Sequence, residues 1–343
     1  MLRPDGLLGD VVLVGRARDL ATSEAGEAAV VGEAGFLARV AFIADRTIAG
    51  IATSPPEPGA AALVGVKASS GFRAELDRAL PAHRETRSLL YLLLDDLPVA
   101  ALVSGYAIGA GGMRMPARRL SFHPDLCAGW RTGGTMLVGI EKEGHIPSAT
   151  GPPAPSLARG DDPLAWHATP PLPPHSMRRH RRLDLRFDSG AAHRAEGHDC
   201  RVASQRRAAS GADDPDSRVA SRRRAARSPS FLVDVLFRDS YVDADGCETI
   251  VHEYAVRAAI DPSSLRVEDV EAEARVLPWV ECEAAAASAK RVVGSPIAGL
   301  RPQVRAELTG PSTCTHLNDT LRSLEDVAAL AAWLRESEVQ ESA

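Results

Sequence analysis

The sequence predicts an α+β protein whose organising unit is an antiparallel meander packed by three C-terminal helices. Two observations carry this. Val251 to Ile260 alternates strictly, with Tyr254, Val256, Ala258 and Ile260 on one face, and it lies between two further strand-like runs, Phe231 to Ser240 and Val267 to Val276. From Glu281 the hydrophobic period changes from two to about 3.6, and Leu317, Leu321, Leu324, Ala328, Ala331 and Leu334 form a helical stripe.

Taken in order, Pro4-Asp5-Gly6 is turn chemistry and Val11 to Val14 starts a strand. Phe36 to Ile51 reads as a hairpin. Phe72, Leu76 and Leu80 recur at helical spacing, and Pro81 ends that helix. Leu89 to Leu94 is a continuous buried element, with Asp95-Asp96 expected in a solvated turn after it. Residues 111–176 are rich in Gly and Pro and predict loops. Residues 178–228 hold fourteen Arg, no Lys and seven acidic residues, a local charge of +7 without hydrophobic periodicity. Such a stretch cannot bury a core, so a disordered low-complexity linker is expected there. Asp243-Ala244-Asp245-Gly246 and Pro262-Ser263-Ser264 turn the meander. A helix over Cys282 to Val293 ends at Gly294, a second spans Leu300 to Leu308, and the third carries Cys314, Thr315 and His316 at its start.

Bulk composition bounds the function. A net charge of −5 argues against nucleic acid as a partner. The first residues lack the apolar core of a signal peptide, and Pro98, Ser104 and Gly105 interrupt the longest apolar run, so no membrane span is expected. Five widely spaced cysteines do not suit a disulfide framework, and a cytoplasmic protein is expected. Abundant Ala, Arg, Gly and Pro point to a GC-rich bacterial genome.

The chemistry concentrates late in the chain. The meander brings the starts of the first and third helices to one sheet end. Cys282, Cys314 and His316, with His252 on the neighbouring strand, then form a candidate metal- or sulfur-binding site for zinc or an iron–sulfur cluster. Cys247 is a further candidate for the fourth position. A helix N-terminus is expected to lower the thiol pKa of Cys314. Two other readings stand beside this one. In the first, a small-molecule enzyme uses His252, Glu253, Asp239 and His316 without metal, or a cysteine–histidine pair with Asp319 orienting His316. In the second, a protein-interaction module has Cys and His residues that are only structural.

The runs Arg3-Pro4-Asp5-Gly6, Val251-His252-Glu253-Tyr254-Ala255-Val256-Arg257, Pro278-Trp279-Val280-Glu281-Cys282 and Thr313-Cys314-Thr315-His316-Leu317 resemble the bacterial family catalogued as domain of unknown function 2889. Thr313 replaces the family's glycine. The resemblance implies a core domain over 1–20 and 231–334, an inserted or subfamily-specific α/β region over 21–176, and an Arg-rich linker over 177–230. More distantly, the order of strands, cysteine, small-residue helix and last Cys/His is similar to NifU/SufE-like iron–sulfur scaffold proteins, which implies that fold and a cluster-binding role.

Overall fold

The structure is a computed structural model that describes residues 1–23, 25–113, 123–158, 160, 162–190 and 228–341, with side chains through residue 336. Most of the expected low-complexity linker, residues 191–227, lies outside the described residues.

The fold is α+β, built on two antiparallel sheets. The first joins β1 (Val11–Thr22), β2 (Ala28–Ala41) and β3 (Thr47–Ser54) in that order. Helices α1 (Phe72–Ala79), α2 (Pro81–Thr86), α3 (Leu89–Val103) and α4 (Tyr106–Ala110) follow, then α5 (Thr135–Glu143). The second sheet joins β4 (Met177–Asp188), β5 (Ser230–Val242), β6 (Glu248–Ile260) and β7 (Val267–Val276). A 3-10 segment over Val280–Val292, α6 (Leu300–Glu307), α7 (Thr315–Arg322) and α8 (Val327–Glu341) complete the chain.

The C-terminal meander and α6 form where the hydrophobic pattern places them, while the helix expected over Cys282 to Val293 is a 3-10 segment and the stripe from Leu317 to Leu334 is divided between α7 and α8. Phe231, Val233, Val235 and Phe237 of β5 face the same core as Tyr254, Val256, Ala258 and Ile260 of β6. Leu317, Leu321 and Leu324 close that core from the helical side and are fully buried. Truncating Leu321 to Ala is expected to cost about 2–5 kcal/mol, read as a lower urea midpoint at unchanged slope. An unchanged midpoint would contradict this packing.

Four expectations change. The N-terminal strand pairs with β2 in its own sheet, not with the meander, because the hairpin partner adjacent in sequence is available. Residues 177–188, expected within the linker, form β4 beside β5. Its Leu183 and Leu185 pack against the core, while its Arg179 and Arg181 are held by carboxylates of other elements. Asp95 and Asp96 lie inside α3, not in a solvated turn. Asp95 pairs with Arg73 and with Arg301, the latter at 2.8 Å. Finally, residues 89–110 are long and apolar enough to cross a membrane by length and composition. In the fold, Leu90, Leu94, Leu97 and Ala101 of this stretch are buried against the first sheet.

Glu253 of β6 is buried beside Arg238 of β5, its cross-strand partner. Arg238 also donates to the Pro155 carbonyl at 2.7 Å, and Arg275 stands 3.8 Å from Glu253. Glu253→Leu, which leaves the Arg238 charge without its carboxylate, is expected to lower stability by about 3–5 kcal/mol. Unchanged thermal unfolding would show that the pair is dispensable.

Candidate metal centre

The candidate site sits where β5, β6 and the first turn of α7 meet. Asp239 pairs with His252 across the β5–β6 ladder, at a bulge between Asp239 and Ser240. The bulge adds a residue on one strand and re-aims the side chains beside it. His316, second residue of α7, lies over His252 with ring centroids 3.6 Å apart and planes 22° apart. One ligand atom from each of Asp239, His252 and His316 lies within 4.8 Å of the others. The His316 Nε2 atom is 3.9 Å from Asp239 Oδ2.

Arg179 of β4 fixes the carboxylate. Its Nε and Nη2 donate to Asp239 Oδ1 and Oδ2, both at 2.8 Å, and its guanidinium lies 4.9 Å from the centre of the Phe237 ring. Asp96 of α3 and Asp319 of α7 stand 3.4 and 3.3 Å from the same guanidinium. Arg181 lies 3.8 Å from Asp96, and Arg322 donates to Asp319 at 2.8 Å. Three carboxylates therefore face three guanidinium groups, and the local charge sums to zero. Burial opposes the Arg179 charge, but Asp239, Asp96 and Asp319 outweigh it and raise its pKa. Burial alone would raise the Asp319 pKa, yet Arg179, Arg181 and Arg322 hold it down to about 2.

The surroundings of both half-buried imidazoles disfavour the charged form. Burial, then the Arg179 charge, lowers the His316 pKa to about 3, and burial with the adjacent His316 takes His252 well below its ordinary value. His252 Nδ1 is buried and makes no hydrogen bond among the described residues. An orphaned buried ring nitrogen costs free energy unless something else engages it. The unfolded chain binds more protons than the native one below about pH 6.5, so the stability of the metal-free chain falls as pH drops from there. The fall continues towards about pH 3, where His316 charges within the fold. Urea titrations in EDTA are expected to give a lower midpoint at pH 5.0 than at pH 7.5. Equal midpoints would contradict the lowered pKa values of the two imidazoles.

The residues named from sequence divide. His252, His316 and Asp239 come together. Cys314 is the N-cap residue of α7, with Sγ 4.0 Å from His316 Nδ1. Its thiol pKa is raised by burial, against the lowering expected of a helix N-terminus. Cys282 is buried on the 3-10 segment, and burial, with Cys314 and Cys127 nearby, pushes its thiol up to about 12. A Cβ added at Gly129 would lie 3.0 Å from its Sγ. Cys282 does not belong to the Asp239–His252–His316 group, and neither does the exposed Cys247. Asp319 serves the arginines, and the carboxylate facing His316 Nε2 is Asp239. Glu253 is taken by Arg238. Sequence reading misses Arg179 and Asp96. The one available signal is Leu183, Leu185 and Phe187 alternating with charged residues, which marks β4 as a strand.

Asp239 and His252 on the antiparallel sheet and His316 on α7 define a candidate divalent-metal centre. Residues 217–330, which include Asp239, His252 and His316, match a family model described as a protein of unknown function (DUF2889). The match does not reach the N-terminal turn that carries part of the resemblance. No curated protein and no solved structure matches the chain.

Proposed function

We propose that this protein binds one first-row divalent metal ion through Asp239, His252 and His316, with Cys314 at the rim. The observation that supports this most is the buried, unpartnered His252 Nδ1 within a group whose ligand atoms lie within 4.8 Å of one another. The donor set fits. The imidazoles keep free lone pairs at neutral pH, so protons do not compete with the ion. Asp239 gives two of its roughly four acceptor positions to Arg179 and keeps the rest. Two imidazoles and a carboxylate leave coordination positions open, and such an ion supplies Lewis-acid or redox chemistry to a small molecule there. Under this reading a single ion replaces the cluster that a NifU/SufE-like scaffold would hold, because Cys282 and Cys314 are protonated and packed. We place the protein in the cytoplasm, in keeping with the four free cysteines described.

A cobalt(II) titration followed by visible absorption tests the reading. The wild type is expected to take up one equivalent. His252→Ala is expected to bind on the order of 100-fold more weakly, since ligand loss exceeds the 10–100-fold typical of outer partners. Cys314→Ser is expected to keep the stoichiometry. No uptake of cobalt, zinc, iron or manganese by the wild type would overturn the proposal and favour metal-free use of the two imidazoles.

A further inference from the structure

We infer that residues 11–103 are a second copy of the unit that carries the site, with its metal position kept in outline but emptied of imidazole. The two halves share irregular features that hydrophobic patterning does not require. Arg18-Asp19 in β1 and Arg238-Asp239 in β5 are each followed at once by a bulge. Across the ladder, Arg18 and Asp19 face Glu33 and Gly32, as Arg238 and Asp239 face Glu253 and His252. A second bulge falls at Arg39/Val40 against Gly50 and Ile48, and at Ala259/Ile260 against Asp269 and Val267.

The connections repeat as well. Arg46 and Leu265 both take left-handed backbone just before the third strand, at φ 62° and 52°. Gly65 and Gly294, at φ 87° and 82°, donate to Ile48 and Val267 at 2.8 and 2.7 Å. Gly71 and Gly299, at φ 93° and 81°, are the N-cap residues of α1 and α6, each eight residues long. Leu94-Asp95-Asp96-Leu97 then repeats as Leu324-Glu325-Asp326-Val327. Arg73 of α1 pairs with Asp95, as Arg301 of α6 pairs with Asp326 and Glu325. A bulge or a left-handed residue is a local choice with many alternatives. Two independent folds do not share this series in the same order.

At the position of the metal group the copies differ. Asp19 stands where Asp239 does, and burial raises its pKa. Gly32 replaces His252. A Cβ built on Gly32 would lie 3.8 Å from Asp19 Oδ2 and 3.6 Å from Leu89 Cδ1. A side chain on Gly32 therefore meets Asp19, the counterpart of Asp239, and the first residue of the helix packed on this sheet, much as His252 meets Asp239 and the first turn of α7. The emptied copy acts on the other as a partner. Its Asp96 reaches Arg179, and its Asp95 reaches Arg301.

The binding test rests on the proposed function, and a structural readout stands apart from it. Gly32→His with Leu89→His is expected to raise cobalt uptake from one equivalent to two. In a His252→Ala/His316→Ala background the same pair is expected to restore one. A folded variant, judged by circular dichroism, that stays at the background stoichiometry overturns the inference. Should the wild type take no cobalt, the proposed function fails, and a crystal structure of the full chain decides the duplication. Fitting β1–β2 on β5–β6 then brings Asp19 onto Asp239 and Gly32 onto His252. A one-residue slip, which sends Asp19 to the opposite face, overturns the duplication whatever the metal result.

Discussion

Arg179→Met is expected to destabilise the chain by about 3–5 kcal/mol, the cost of leaving a buried charge without its partner. Asp239 is wholly buried and receives both of its charged hydrogen bonds from Arg179. Asp96 and Asp319 lose a shared cation in the same substitution. The double variant Arg179→Met/Asp239→Leu removes both charges and should recover a substantial part of the loss. A double-mutant cycle by urea unfolding measures that recovery as the coupling between the two. Additive losses would show that Arg179 acts through Asp96 and Asp319 rather than through Asp239.

Arg301→Met should produce the second large effect, at the contact between the two halves. Arg301 donates to Asp95 of α3 at 2.8 Å and to both oxygens of Asp326 at 3.0 Å, and its side chain is largely buried. Without it Asp95 keeps Arg73 and Asp326 keeps Arg87, so each acid falls back on a single cation. The expected loss is again about 3 kcal/mol, falling on the contact between halves rather than on either core. Because each half has its own hydrophobic cluster, urea unfolding should broaden or split into two transitions. A single sharp transition at the wild-type midpoint would contradict the role of Arg301 in joining them.

Much of the C-terminal half is legible in the sequence because one face of each element is buried. Strict alternation marks β6, and the spacing of Leu317, Leu321 and Leu324 marks the helical side. His252 and His316 are legible as members of one site, but their ring stacking is not, since it depends on how α7 crosses the sheet. Strand β4 escapes because several of its inward positions carry arginine, and only carboxylates from α3, β5 and α7 make that burial tolerable. Asp95 and Asp96 mislead for the same reason. An acidic pair suits a turn until four arginines from elsewhere, Arg73, Arg301, Arg179 and Arg181, hold it within a helix. The partner of the N-terminal strand is a long-range matter in which alternation names a strand but not its neighbour. The likeness of the halves lies mostly in bulges and left-handed residues rather than identical side chains, so it emerges from the register.

X-ray absorption at the metal edge of the zinc-loaded full chain reads the ligand set itself. A nitrogen and oxygen shell at about 2.0–2.2 Å with imidazole scattering is expected, lost in His316→Ala. A shell dominated by sulfur at about 2.3 Å would place the ion on the cysteines and contradict the assignment to Asp239, His252 and His316.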